Sequence, residues 1–282
     1  MWLFAPKEIK HHVSGWILRN RSFLRNKVVV DCPAGNGVSS QTLLQVGAFV
    51  KSYDLIPEFF RARDLKCEFA DLSKTLPIPD ESVDLILCQE GIEHVPDQLK
   101  VFEEFARILK PNGKLMLTTP NYSNIRARLS YLFNESELFG KIMPPNEIDS
   151  IWFSPSGDGK RSGEIYFGHI YLIGIQKLRL FSKLAGLKLQ GIVPTRVNTT
   201  SLIFFPLLFP FILFFSYLSY ERAIRKKGSK HNRSVFGEVF DLAVHPIVLL
   251  DNHLFLEFQK IDIPTNVRQS LRQSADVGTF VT

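Results

Sequence analysis

Residues Val28–Gly37 read VVVDCPAGNG. Three β-branched residues lead into an acid, and two glycines follow in a short loop. Parallel strands covered on both faces read as continuous apolar runs. Open α/β sheets bind their ligands in the loops just past the carboxyl ends of such strands. The stretch therefore predicts a nucleotide-type loop between a strand and a helix. It departs from the dinucleotide fingerprint, however. Pro33 stands where the first glycine is expected, and GNGVSS is a poor copy of G-x-G-x-x-G.

The surrounding chain repeats the same alternation. KVVVD, FVKSYDL, CEFAD, VDLILCQ and KLMLTTP read as strands. Helices are expected over 7–25, GVSSQTLLQVGA, EFFRARDL, Pro96–Lys110 and HIYLIGIQKLRLFSKLAGL, the last closed by Gly186. KPNG at 110–113 reads as the turn between helix and strand. LKLQGIV and HLFLEFQKI supply two more strands. The pattern predicts a doubly wound α/β sheet. Residues 120–168 break the rhythm and are rich in Pro, Asn, Ser and Gly, as in a lid or substrate-facing insertion. The tail after Pro264 is polar and is expected to fray.

With 282 residues and 45% apolar content the chain can bury a full core. Its three cysteines, Cys32, Cys67 and Cys88, lie in or beside apolar runs without metal-ligand spacing, and are expected to be free buried thiols. No metal constellation stands out. The net charge of +6 suits an anionic partner. Its basic residues cluster beside an apolar run and not over the expected crevice, which argues against nucleic acid.

Which nucleotide the loop serves depends on later residues. Asp54 closes the second strand, where an acid takes the two hydroxyls of a ribose in NAD and other adenosine ligands alike. Asp71, in ADL, adds a second acid facing the same crevice, suited to an adenine amino group. Taken in order, VVVDCPAGNG, YDLIP, ADL, VDLILCQEGIEHVPD and LKPNGKLMLTTPN resemble the class I S-adenosylmethionine-dependent methyltransferases, small-molecule type, with an E-H-V-x-D segment after the fourth strand. The likeness is good over 27–120 and weaker at 169–193 and 253–261.

The resemblance implies a Rossmann-like, seven-stranded, mostly parallel sheet with an antiparallel last strand, S-adenosylmethionine as cofactor, and O-methylation as the activity. It places Asp31, Gly35, Gly37, Asp54, Leu55, Asp71, Leu72, Gln89 and Glu90 at the cofactor. Asp31 would reach the cofactor's amino group, Asp54 the ribose, Asp71 and the Leu72 N–H the adenine, and Gln89 and Glu90 the methyl-transfer site. Each acid has a plainer reading as a helix cap or turn residue. Pro33 then makes sense, because this cofactor has no pyrophosphate and the loop needs no cluster of N–H donors. Gly35 and Gly37 would keep side chains away from the ligand. His94 is a candidate proton acceptor for a hydroxyl substrate, and His169 a second from across the lid. Either His also reads as a packing residue, and orientation alone supplies much of the rate in such reactions.

Residues 197–220 carry no charge, and TTSLIFFPLLFPFILFFSYLSY at 199–220 is long enough to span a bilayer. Arg222, Arg225, Lys226, Lys227 and Lys230 follow at once, as on an anionic cytoplasmic surface. The strands on either side of this run should share one sheet, so a kinked hairpin or an interfacial helix over 199–233 is expected, bent near Pro206 and Pro210. A true span and a buried or dimer face are the alternatives. SVFGEVFDLAVHPIVLL at 234–250 reads as a second amphipathic piece of the same anchor.

The expected organisation is a helical cap over 1–26, a methyltransferase domain over 27–196 with its lid insertion, an apolar and basic insertion over 197–250, the last strand within 251–263, and a tail over 264–282. The expected protein is a methyltransferase at the inner face of the cytoplasmic membrane. Its acceptor is a small molecule or a lipid-linked one, either a glycolipid or polysaccharide intermediate or a quinone-like lipid. The alternatives are a soluble dimeric enzyme for a small metabolite and a non-catalytic, membrane-bound cofactor-binding protein.

Overall fold

The computed structural model describes residues 8–134, 171–227 and 230–276. Most of the expected lid lies outside these, as does His169. Seven strands form one sheet in the order β3-β2-β1-β4-β5-β7-β6. They are β1 (Val28–Asp31), β2 (Phe49–Asp54), β3 (Cys67–Phe69), β4 (Val83–Gln89), β5 (Leu109–Pro120), β6 (Leu187–Ile192) and β7 (His253–Lys260). Pairing from β3 through β5 is parallel. β7 runs antiparallel to both β5 and β6. The seven-stranded, mostly parallel sheet with an antiparallel last strand is thus as expected.

Strand alternation splits the core into two layers. Val30, Ile86, Cys88, Leu115, Leu117, Leu256 and Phe258 face one side, under helices α4 (Gln98–Ile108) and α6 (Ile175–Leu184). Val29, Leu85, Leu87, Met116 and Phe255 face the other, under α1 (Ile9–Arg19), α2 (Arg21–Leu24) and α3 (Val38–Gln45). Cys32 and Cys88 are buried free thiols, and Cys67 is a half-buried one.

Several local expectations are corrected. EFFRARDL forms only a single 3-10 turn, Pro57–Phe59. Its later backbone donors are taken elsewhere: Arg61 N–H by Asn36 O, and Arg63 N–H by Gln41 Oε1. Asp64, at φ +61°, then ends any helical path. α4 begins two residues after Pro96, because the Asp97 carboxylate caps it through Lys100 N–H. KPNG lies inside β5, as an irregularity between the Val83–Leu109 and Leu85–Lys114 pairs. The N-terminal helix breaks at Asn20, whose Nδ2 donates to Trp16 O. The polar tail is helical over α10 (Pro264–Asp276). Asp262 Oδ1 accepts from Ile263 N and Asn266 Nδ2, Pro264 suits a first helical turn, and Arg268 pairs with Glu103.

The apolar run forms one helix, α7 (Thr199–Lys227), that continues through both Pro206 and Pro210. The chain returns through α8 (Lys230–Val244) and α9 (Pro246–Leu250) to β7. Tyr217 and Tyr220 pack their rings on Phe240 of α8. α8 is tied to α6 through Arg179–Glu238 and through Gln176 Nε2 donating to Val239 O. Most of α7 is uncovered, with Ile203 67%, Leu207 62% and Phe215 61% exposed. α5 (Ile125–Asn134), at the start of the expected insertion, adds exposed Tyr131, Leu132 and Phe133.

Candidate active site

The loops at the carboxyl ends of β1, β2, β3 and β4 enclose a cavity of about 810 Å³, in the size range of cofactor sites. Gly35, Asp54, Leu55, Asp71, Leu72, Gln89, Glu90 and His94 all line it. Asp54 holds the loop: its Oδ2 accepts from Gly35 N at 2.7 Å and its Oδ1 from Ile56 N at 2.9 Å. Asp71 Oδ1 accepts from Ser73 N at 2.8 Å and Ser73 Oγ at 2.6 Å, and Oδ2 lies 3.2 Å from Lys74 Nζ. Burial raises the Asp71 carboxyl, but the Ser73 hydrogen bonds and Lys74 outweigh it and hold it below its ordinary value. Gln89 Nε2 donates to Ser39 Oγ at 2.7 Å.

The two loop glycines play different parts. Gly35, at φ +53°, would have nothing within 4 Å of an added Cβ, so it opens on free space. Gly37 does not line the cavity. It sits at φ +83° where α3 starts, and a Cβ there would fall 2.7 Å from the Phe60 ring and 2.8 Å from Ala62 Cβ. Protein packing alone thus requires a glycine there. Asp31 also lies off the cavity wall. It is fully buried, with Ser40 Oγ donating to its Oδ2 at 2.5 Å and Oδ1 without a partner. Burial pushes its carboxyl up to about 7, against the Ser40 hydrogen bond. Pro33 packs on Gly91, where an added Cβ would lie 2.5 Å from Pro33 Cδ.

Some site residues were not singled out from the sequence. Ile9 and Lys10 of α1 close one side of the cavity. Glu93, three residues after Glu90, is fully buried, and its Oε2 accepts from Thr119 Oγ1 at 3.0 Å. His253, the first residue of β7, places Nε2 3.6 Å from Glu90 Oε2. Glu93 lay within the quoted EGIEH run, and its spacing from Glu90 was the available signal. His253 carries no local signal, and only the strand order brings it here. Among the described residues, no group of three or more His, Cys, Asp or Glu side chains is placed to hold a metal ion.

A family model described as a methyltransferase domain matches residues 30–117. A ubiquinone biosynthesis O-methyltransferase of Psychrobacter cryohalolentis is 34% identical over 121 residues, 39% of this chain and 46% of that protein. One from Xanthomonas oryzae pv. oryzae is 34% identical over 125 residues, 41% of this chain and 52% of that protein. The chain thus spans about half the length of the curated relatives it matches. Among solved structures, the YcgJ protein of Bacillus subtilis is 16% identical with a TM-score of 0.51, covering 89% of this chain and 99% of that one. An S-adenosylmethionine-dependent methyltransferase from Mesorhizobium loti is 15% identical with a TM-score of 0.50, covering 88% and 97%. At such identities the likeness is one of fold.

Proposed function

We propose that this chain, which belongs to the class I S-adenosylmethionine-dependent methyltransferase family, methylates a hydroxyl of a quinone-like lipid at the cytoplasmic face of a membrane. One observation carries the reading. The cavity lies at the carboxyl ends of β1–β4, and the uncovered apolar helix α7 starts from that same end of the sheet. β5 and β6 are both antiparallel to β7, so both finish at that end, and the chain leaves it there for α5 and α7.

The cavity suits the cofactor. Asp54 uses its two oxygens on two backbone N–H groups, which leaves lone pairs for ribose hydroxyls. Asp71, held by Ser73 and Lys74, and the backbone of Leu72 would hold the adenine. The open space at Gly35 admits the methionine part. When bound, the cofactor supplies an electrophilic methyl group. The protein's task is to align an acceptor oxygen with it and exclude water.

The acceptor class rests on two supports: the names of the matched relatives and the chemistry of α7. A lipid with a polar ring and a long apolar tail would set the ring in the cavity and the tail along the bilayer. Ile203, Leu207, Phe211 and Phe215 supply the apolar surface, and Arg222, Arg225 and Lys226 are exposed beside it. Each such cation contributes about 1 kcal/mol near an anionic leaflet.

The test combines binding with partitioning. Calorimetry should show S-adenosylhomocysteine binding and no NAD binding, with Asp54→Ala weaker by about 1.5–3 kcal/mol. The full chain should float with phosphatidylglycerol vesicles and resist a high-salt wash. With 199–233 replaced by a Gly/Ser linker it should stay in solution and still bind. A full chain that remains a soluble dimer in the presence of vesicles makes α7 a subunit interface and overturns the membrane reading.

A further inference from the structure

Glu90 follows β4 directly and holds an unusual backbone conformation for a non-glycine residue, φ +46°. Its N–H is fixed by Thr118 O at 3.1 Å and Thr118 Oγ1 at 3.3 Å, both on β5. This aims a carboxylate at the cavity wall while burying its Oε1, which has no hydrogen-bond partner. Glu93 stands close by and is equally anomalous: fully buried, with Oε1 unpartnered. Among the described residues neither acid has a Lys or Arg within 4.0 Å. Two desolvated carboxylates with no cation beside them among the described residues do not both carry charge; the pair retains a proton.

We propose that Glu90 is the proton acceptor for the acceptor's hydroxyl, and that the His253 imidazole, with Nε2 3.6 Å from Glu90 Oε2, is the neighbour that sets its proton affinity. The inference rests on the methyltransferase reading above and names a catalytic residue for it. The acceptor O–H bond breaks and its proton passes to the Glu90 carboxylate. The freed electron pair forms the new carbon–oxygen bond, and the carbon–sulfur bond of the donor breaks with its pair left on sulfur. No other reactant is needed.

Electrostatics support the geometry. Burial raises Glu90, against a hydrogen bond from Thr118; burial and then Glu90 raise Glu93. A carboxylate so raised is a far better base than one in water. Burial, and next the charge of His12 on α1, lower His253 to about 4, so its imidazole is neutral at pH 7. A charged imidazole there would hold Glu90 ionised and weaken it as a base. The groups facing Glu90 are thus Glu93 from the turn after β4, Thr118 from β5 and His253 from β7, with His94 and Lys10 also on the cavity wall.

The test has one readout free of turnover. In the cofactor-free protein at pH 6, infrared difference spectra between wild type and Glu90→Gln should contain a protonated-carboxyl C=O band. That band should disappear on raising the pH to 9. Its absence at pH 6 overturns the proposal. With saturating donor and a short-chain catechol analogue of a quinol lipid, Glu90→Gln should lower kcat by about 100-fold or more. Its thermal unfolding should remain a single cooperative transition, which shows that it folds, and Glu90→Asp should recover part of the rate. His253→Asn should shift the midpoint of the kcat–pH profile, an effect that mere loosening would not produce. An unchanged profile in Glu90→Gln overturns the proposal, as does a profile abolished only by His94→Asn. Turnover that requires added Mg²⁺ would give the carboxylates a cation in place of the proton and also overturn it. A wild-type chain that binds no S-adenosylhomocysteine fails the methyltransferase reading itself.

Discussion

Pro33 and Gly91 form a matched pair. The proline removes an N–H the loop does not need, and its ring occupies the space a side chain at residue 91 would fill. Gly91→Ala would force its methyl group into Pro33 and Leu72, both on the cavity wall. Such overpacking costs about 1–3 kcal/mol, so the denaturant midpoint should drop and the affinity for S-adenosylhomocysteine should fall with it. Chemical denaturation and calorimetry on the same variant check both. Gly35, Asp54 and Asp71 were readable in the sequence because each closes or follows a strand with a plain apolar signature. Gly91 and His253 were not, because their meaning comes from contacts 58 and 163 residues away along the chain, with Pro33 and Glu90 respectively. Gly37 was readable as a necessary glycine, but its contact with Phe60 and Ala62 was not, because that comes from the fold of the following loop.

Among the elements, the parallel strands were legible and the helix boundaries less so. β-branched and leucine-rich runs have few alternatives in a covered sheet. EFFRARDL had helical composition, yet neighbouring loops captured its backbone donors, which no local pattern reveals. The first turn of α7 shows the same long-range control. Asn198 Oδ1 accepts from Ser201 N, Asn198 N donates to Leu250 O, and its Nδ2 donates to Asn252 Oδ1. Ser201 Oγ in turn accepts from Arg126 N of α5. Asn198→Ala removes the cap and a buried polar link at once. It should lower stability by about 1–2 kcal/mol and speed amide exchange in the first turn of α7 while leaving exchange in β1 and β4 unchanged.

At the scale of the whole molecule, several buried acids share one bias. Asp31, Glu90, Glu93 and Asp251 all lie above their ordinary range because burial penalises their charge. At these four groups the folded chain therefore binds more protons than the unfolded one above about pH 4. The stability these groups contribute is full below that pH and is lost as pH rises, through about 7 for Asp31. His245 and His253, lowered chiefly by burial, act in the opposite direction below about 6.5. The carboxylates thus dominate from about pH 6.5 to 8, and the unfolding midpoint of the cofactor-free protein should fall across that range; the raised thiols of Cys32, Cys67 and Cys88 extend the fall at higher pH. The slope is about 1.4 kcal/mol per pH unit for each proton of difference. Asp31→Asn should flatten the curve, and a midpoint independent of pH over that range would contradict this account. The sheet order bears on synthesis as well. β7 fills the gap between β5 and β6, pairing Lys114 with Gln259 and Pro120 with His253. The edge of β5 therefore stays open while the ribosome adds well over a hundred residues, roughly 7–26 s of translation at ordinary rates. α7 leaves the ribosome before β7 exists. This apolar helix is therefore complete before the strand that closes the sheet has been made.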